Sequence, residues 1–305
     1  MRHLAGRVGQ AAVAIFGVLT IVFFVMRLSG DPTLLLVPEG ASAEQIAALR
    51  HALGFDRPLW VQYLGYIRDL ARLDLGQSLV QRASVAGIVA ERIPYTVALA
   101  AGALVVALGV GIPAGIAMAV WRGRWVERAL AGLVLAGQSL PTFWTGILLI
   151  LLFGVQLGWL PTSGADGVQA LVLPSIALGA VTMASFARMT RIAVLDELSR
   201  DYVAAARARG LSRAAAVRRH VLRNAAIPVV TIAALEVGNL LAGAVIVETV
   251  FAWPGIGQLA IQAIAARDFL VVQSVVLFVS AVYIGINLLA DLAYAWIDPR
   301  IRAAR

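Results

Sequence analysis

The chain has 305 residues, 61% of them hydrophobic and 14% charged, with a mean hydropathy of +0.87; soluble domains carry about 25% charged residues, so the composition excludes a soluble domain and marks an integral membrane protein. Its net charge of +8 and pI near 10.9 would suit nucleic acid, but the positive residues lie between and beside apolar spans, the pattern of membrane orientation and not of nucleic-acid binding. All 25 basic residues are arginine, which excludes a Walker A loop because its lysine must reach nucleotide phosphates, and the lack of cysteine excludes disulfides and thiolate metal sites.

A bilayer core requires about 20 apolar residues of helix, because the backbone there must satisfy its own hydrogen bonds. Six segments meet that length: 8–28, 95–120, 129–153, 171–190, 225–251 and 269–297. The first follows Arg2 and Arg7 but is longer than the apolar core of a signal peptide. It also lacks a small-residue cleavage site and is followed by further spans, so it reads as an anchor.

Between the first two spans, residues 31–94 form a long outer loop with local order. Ser42 and Gln45 make a capping box for a short helix that stops at Gly54. Asp56 and Pro58 then open an amphipathic stretch, 59–73, whose Trp60, Tyr63 and Tyr66 suit a membrane interface. Packing on the ends of the spans and docking of a partner are both open for it.

Arginines in short loops resist translocation, so they mark the inside. Arg2 and Arg7, Arg122, Arg124 and Arg128, nine arginines within 188–223, and Arg300, Arg302 and Arg305 all fall on one side. The opposite short loops hold Asp166 in one case and Arg267 with Asp268 in the other. Both termini are therefore expected to face the cytoplasm.

The arginine-rich loop has its own punctuation. Asp201 or Ser199 can cap a short helix over 204–209, and Gly210 with Leu211 supplies a left-handed stop. Ser212 then caps a second helix over 213–223. The pair forms a knob between the fourth and fifth spans, presenting Leu211, Ala214, Val217 and Val221 to a partner's groove. By charge alone the loop would be only a solvated, lipid-facing segment.

The spacing says more. Ala204-Ala205-Ala206, three residues, then Gly210, with Leu222 and Pro228 after the second helix, resembles the EAA loop of ABC-importer permeases. The variant opening Asp201-Tyr202-Val203 and closing His220-Val221-Leu222-Arg223-Asn224 is similar to the dipeptide, oligopeptide and nickel permease family. The likeness covers nearly the whole chain: Gly30-Asp31-Pro32, Leu53 to Leu59, Asp74 to Leu79, Trp159-Leu160-Pro161, Pro254-Gly255-Ile256-Gly257, and Asp298 to Arg302. Ala204 stands where the general pattern has glutamate, and the Leu-Pro that would close it reads Leu222-Arg223, with the proline delayed to Pro228, a delayed form that peptide-type permeases resemble.

The resemblance implies an all-α, polytopic protein with six transmembrane helices and a type I ABC importer permease fold, in the bacterial cytoplasmic membrane. With no internal repeat or low-complexity tract, the chain divides into an anchor over residues 1–30, the outer loop 31–94, and a permease core 95–305 holding a coupling loop at 191–224. The resemblance also implies the first of two paired permeases, moving short peptides by alternating access, with nickel or glutathione import as alternatives within the family. The implied partners are a second homologous permease, two cytoplasmic ATPase subunits that bind ATP and Mg²⁺, an external solute-binding protein and membrane lipid. No cofactor is expected on this chain, and contact with the motor falls to Ala205, Arg207, Gly210, Leu211, Ser212, Arg213, Val217 and His220.

Ionisable groups inside spans are costly and need explaining. Glu236, Asn239, Gln138 and Ser139 either line a polar route that meets a peptide's amino group or fix helix packing through hydrogen bonds. Glu248, beside Phe251 to Gly255, is expected to order a turn, and Asn287 and Asp291 to act as glue between helices. A secondary transporter or channel using Glu236 is the rival reading. An enzyme is disfavoured because His3, His51 and His220 are too scattered for a metal site and no nucleophile elbow or zinc-binding helix motif is present.

Overall fold

The computed structural model describes residues 2–28, 30–37 and 41–297. The expectations resting on Asp298 to Arg302 and Arg305, and on the side chains of Arg2, Arg7 and Asp291, lie outside the described residues. These residues are mostly helical, with no strand among them beyond an isolated antiparallel bridge between Gln77 and Ser84. They fall into two compact units, Met1–Pro94 with Gly255–Ile284 and Tyr95–Pro254 with Gly285–Arg305.

The first unit begins with α1 (Arg2–Leu28), a single turn α2 (Thr33–Leu36) and α3 (Ala43–Ala52). The capping box of α3 is complete: Ser42 Oγ accepts from the Gln45 amide and Gln45 Oε1 from the Ser42 amide. Its stop is Gly54, at φ +72. Helix α4 (Leu59–Ala71) starts after Pro58, whose ring fixes φ and which has no N–H to leave unpaired. Tyr63 and Tyr66 of α4 lie against Phe23 of α1, with ring centroids 5.3 and 5.6 Å away. Tyr63 also shares a hydrogen bond of 2.7 Å with Thr20. Trp60 and Leu64 stay exposed on the other side. The core of this unit joins Met26 to the start of α5 (Val85–Val120), α12 (Ile256–Ala265) and α13 (Phe269–Ile297) through Val85, Ile88, Leu259, Phe269 and Val272. Ser78 donates to the buried Asp268 carboxylate.

The second unit holds the rest of α5, then α6 (Trp125–Ser139), α7 (Thr142–Leu149) continuing as a π-helix over Ile150–Gln156, α8 (Val168–Leu198), α9 (Asp201–Ala208), α10 (Arg213–Ala216) and α11 (Leu222–Val250). Helix α8 is its hub. Leu173, Ala177 and Leu178 pack with Leu99 and Ala103 of α5 and Leu240 and Ala244 of α11, while Ala184 and Ala187 pack with Val134 of α6. The α5 to α8 contact is made at backbone distance. A Cβ added at Gly111 would lie 2.7 Å from the Met183 carbonyl oxygen, and one at Gly179 would lie 2.7 Å from that of Ala103. Small residues give this closeness where lipid removes any hydrophobic gain between helices.

The expected third span differs from the sequence reading. The α6 and α7 axes meet at 105°, because Leu140, ahead of Pro141, is held extended at ψ 133. Among the described residues three helices are long and apolar enough to cross a membrane, Val85–Val120, Val168–Leu198 and Phe269–Leu288, or four if the bent pair is one span. Helices α1 and α11 contribute shorter apolar stretches, Ala12–Leu28 and Gly238–Val250.

Gly111→Ala and Gly115→Ala are each expected to destabilise the chain by about 1–3 kcal/mol, since the backbone opposite must move. Gly109→Ala, on the same helix with nothing within 4 Å of the added Cβ, is the control and should be neutral or stabilising by up to about 1 kcal/mol through helix propensity. Denaturant titration followed by helix content reads both.

Candidate functional site

The knob grows from the end of α8. Two of the cap expectations are corrected: Arg200 holds the N-cap position of α9 without a capping side chain, and Ser199 instead donates to the Asp196 carbonyl. The helix spans Asp201–Ala208. It ends in a Schellman motif, with the Gly210 amide bonded to the Arg207 carbonyl at 2.9 Å and the Leu211 amide to that of Ala206 at 3.3 Å. Gly210 sits at φ +89 with open space around it, so the corner selects glycine by backbone conformation and not by crowding.

Ser212 then caps as expected, its Oγ accepting from the Ala215 amide. The second helix is not a separate piece. It passes from α10 through a π-helical turn, Val217–Val221, straight into α11. The faces also differ from the expectation: Val217 and Val221 are buried, with Val203, Ala206 and Ala216. Val203, Ala216 and Val221 pack against Ala119 of α5 and Ala193 and Val194 of α8. They hold the knob to the bundle. Ala205, Arg207, Gly210, Ser212, Arg213, Ala214 and His220 are exposed and Leu211 is half-buried.

Polar contacts brace the corner. The Tyr202 hydroxyl donates to the Glu197 carboxylate and accepts from Asn224 Nδ2 at 3.2 Å. Partial burial, then the Glu197 carboxylate, hold that hydroxyl above the usual tyrosine range, against an opposing pull from Asn224, so it remains a donor at neutral pH. His220 lies edge-on to the Tyr202 ring at 6.5 Å. Arg200 pairs with Asp196 at 3.0 Å, and Arg213 donates to the Val120 carbonyl at 3.1 Å.

Of the expected pathway residues, Glu236 and Asn239 bond to each other, and Gln138 and Ser139 bond to other partners. Gln138 Oε1 accepts from Arg188 at 2.6 Å, while Ser139 donates to the Leu135 carbonyl. Glu236 is half-buried and accepts from Asn239 at 3.3 Å. Glu248 is fully buried and accepts from Thr96 Oγ1 at 2.7 Å; its carbonyl also closes the turn to the Trp253 amide at 2.8 Å. Sequence reasoning counted Arg188 and Arg191 only as charge. The structure gives Arg188 to Gln138, and Arg191 Nε to Glu127 at 3.0 Å, with Glu127 also taking the Gly123 amide at 2.6 Å. Partners 50 and 64 residues apart leave no local signal.

The sequence of this all-helical bundle matches two family models. The model described as the binding-protein-dependent transport system inner membrane component matches residues 111–303, and that of the N-terminal part of such membrane components matches residues 1–100. The chain belongs to this family. It is 45% identical over 289 residues to the glutathione transport system permease protein GsiC of Escherichia coli O6:H1, covering 94% of each chain, and equally to that of Shigella dysenteriae serotype 1. Its fold is similar to an inward-facing structure of the MetNI methionine ABC transporter, with TM-score 0.60 and 20% identity over 70% of this chain and 97% of the other. The protein is thus a multi-pass inner-membrane permease of the ABC importer class, in the peptide-type branch expected from its motifs, and a transport component and not an enzyme.

Ser212→Ala in this permease should cost the first turn of the second knob helix about 1 kcal/mol, and Ser212→Asp should restore most of it. Hydrogen exchange at the Ala215 amide is the readout: faster in the alanine variant, near parental in the aspartate one.

Proposed function

We propose that this permease imports short peptides, glutathione among them, by ATP-driven alternating access, as the first member of a heterodimer with a second homologous permease. Two cytoplasmic ATPase subunits, binding ATP and Mg²⁺, would dock on the knob, and an external solute-binding protein would deliver the cargo. The cargo reading rests on the 45% identity to permeases named for glutathione transport. On this reading the fold is type I with six spans, the 31–94 segment lies outside, 191–224 is the coupling loop of a 95–305 core, and both termini are cytoplasmic.

The observation that carries the coupling role is the exposed face Ala205, Arg207, Gly210, Ser212 and Arg213 with the half-buried Leu211 at its corner, set on a buried seat that includes Val217. A face for docking and a rigid seat are both required of an element that transmits force. ATP-driven closure of the motor would favour one conformation of the permease over the other by binding them unequally, and the knob is where that difference enters. His220 extends the face beside Tyr202.

Gln138 and Ser139, with Glu236 and Asn239, are proposed to line the route. Gln138 and Ser139 end α6 just before the Leu140-Pro141 break. Irregular backbone at membrane depth is tolerated where it faces a water-filled cavity or is buried in protein, and Ser139 and Leu140 are exposed. Glu236 has acceptor capacity beyond its bond to Asn239 and suits a peptide's ammonium group.

Gly210→Val places a β-branched residue at positive φ, costing about 1–2 kcal/mol locally. In vesicles carrying the assembled transporter, ATP-dependent uptake of glutathione or a dipeptide should fall at least about tenfold while assembly is retained; parental uptake would overturn the coupling role. The cysteine-free background makes topology directly readable: Ser212→Cys should react with a membrane-impermeant thiol reagent only after the cells are opened, and labelling in intact cells would overturn the orientation.

A further inference from the structure

The first unit contains a cavity of about 360 Å³ walled by α3, α4, the end of α1 and the start of α13. Its polar groups are unusual. Gln273 is 1% exposed and its Nε2 has no hydrogen-bond partner. Arg27 Nη1 is buried and equally unpartnered, although Arg27 Nε donates to Gln62 at 2.8 Å. Both residues line the cavity. Two buried N–H donors left unmade in one wall cost free energy that an acceptor would recover.

Arg27 is also held in place. Its guanidinium carbon lies 4.8 Å from the Phe23 centroid, 5.1 Å from that of Phe55 and 4.8 Å from that of Phe269. Three rings and the Gln62 bond fix the direction of its remaining donors before anything binds, which removes much of the ordering cost of recognition.

The charge pattern selects the ligand further. Besides Arg27 the wall holds Arg57, Asp69 and Asp74, two cations and two anions. Asp69 and Asp74 are exposed, whereas the orphan donors are buried. A simple anion would gain at the donors and lose at the carboxylates; a molecule with an oxyanion at one end and an ammonium at the other gains at both.

We propose that this cavity binds a small zwitterion, its oxyanion on Arg27 and Gln273 and its ammonium toward Asp69 and Asp74. Two sources share that chemistry: the phosphoethanolamine headgroup of a membrane lipid and a free amino-acid-like solute. The headgroup is favoured by position, since Arg27 is in the last turn of an apolar helix and Gln273 near the start of another, the level at which headgroups lie. The exposed Trp60 and Leu64 of α4 extend an apolar surface beside it. The site belongs to the first unit and does not rest on the transport reading.

The test is native mass spectrometry on the delipidated, purified permease in its complex, titrated with phosphatidylethanolamine, phosphatidylglycerol and glycylglycine. Phosphatidylethanolamine should be retained in preference to phosphatidylglycerol. Gln273→Leu and Asp69→Asn should each weaken it by about tenfold. Gln273→Leu should leave the thermal midpoint unchanged or raised, because it removes a buried unpaired donor. If glycylglycine binds and the lipid does not, with the same dependence on both residues, the zwitterion site stands and its source is a solute. The proposal is overturned if neither probe binds, if phosphatidylglycerol binds as well as phosphatidylethanolamine, or if affinity is indifferent to both substitutions. Asp69→Asn alters only the exposed rim, so it decides the matter even where Gln273→Leu disturbs folding.

Discussion

The close approach of α5 and α8 is the constraint on which the second unit depends. Gly111 and Gly115 of α5 face the Met183 and Ala187 carbonyls, and Gly179 of α8 faces the Ala103 carbonyl in return, so the two backbones meet where side chains would hold them apart. In lipid, where burying a leucine between helices gains little over leaving it in acyl chains, such contact is what makes one arrangement better than its neighbours. Once α8 is fixed against α5, the rest follows: α11 and α7 pack on α8, Arg188 reaches Gln138, and Arg191 reaches Glu127.

The knob inherits its position from that hub. Its first helix is seated by Val203 and Ala206 and tied through Tyr202 to Glu197 at the end of α8. Its second helix runs on through the π-helical turn into α11 without a loop. A displacement of the knob therefore has no slack segment to absorb it on the α11 side. It would arrive at the helix that carries Glu236 and Asn239. Packed helices switch between discrete arrangements more readily than they bend continuously, which is how a local push can become a two-state change.

What could be read in advance follows from range. The Ser42 and Gln45 box, the Gly54 and Gly210 stops and the Ser212 cap are each decided within a few residues, and each is found as expected. The general family was equally legible, because many short motifs recur in order along the chain. The 105° bend was not: Pro141 is visible, but whether a proline kinks a span or ends a helix is set by what receives the freed backbone groups. The burial of Val217 and Val221 was missed because periodicity shows that a helix has an apolar stripe, not which way the stripe turns. A cap assigned to Asp201 or Ser199 failed because Ser199 found a carbonyl three residues back, a local competition that composition does not resolve. Arg27 among Phe23, Phe55 and Phe269 spans more than 240 residues of sequence and carries no local mark at all.

The two glutamates of α11 show how much surroundings matter to residues of one type on one helix. Glu248 is fully buried, takes the Thr96 hydroxyl, and lies in a turn further pinned by Trp253 Nε1 on the Tyr95 carbonyl at 2.9 Å and by the Gly164 amide on the Phe251 carbonyl at 2.9 Å. A carboxyl so enclosed ties α11 to α5 through Thr96, while the backbone carbonyl of the same residue closes the 248–254 turn. Glu236 is half-buried, and its neighbour Asn239 is exposed; their bond is a short-range one along the same helix, easily exchanged for another partner. An intramembrane carboxyl is costly wherever it sits. At position 248 the cost is offset by the tie to Thr96, while the bond described at 236 is to Asn239 on the same helix, and that asymmetry supports proposing cargo contact at Glu236 in preference to Glu248.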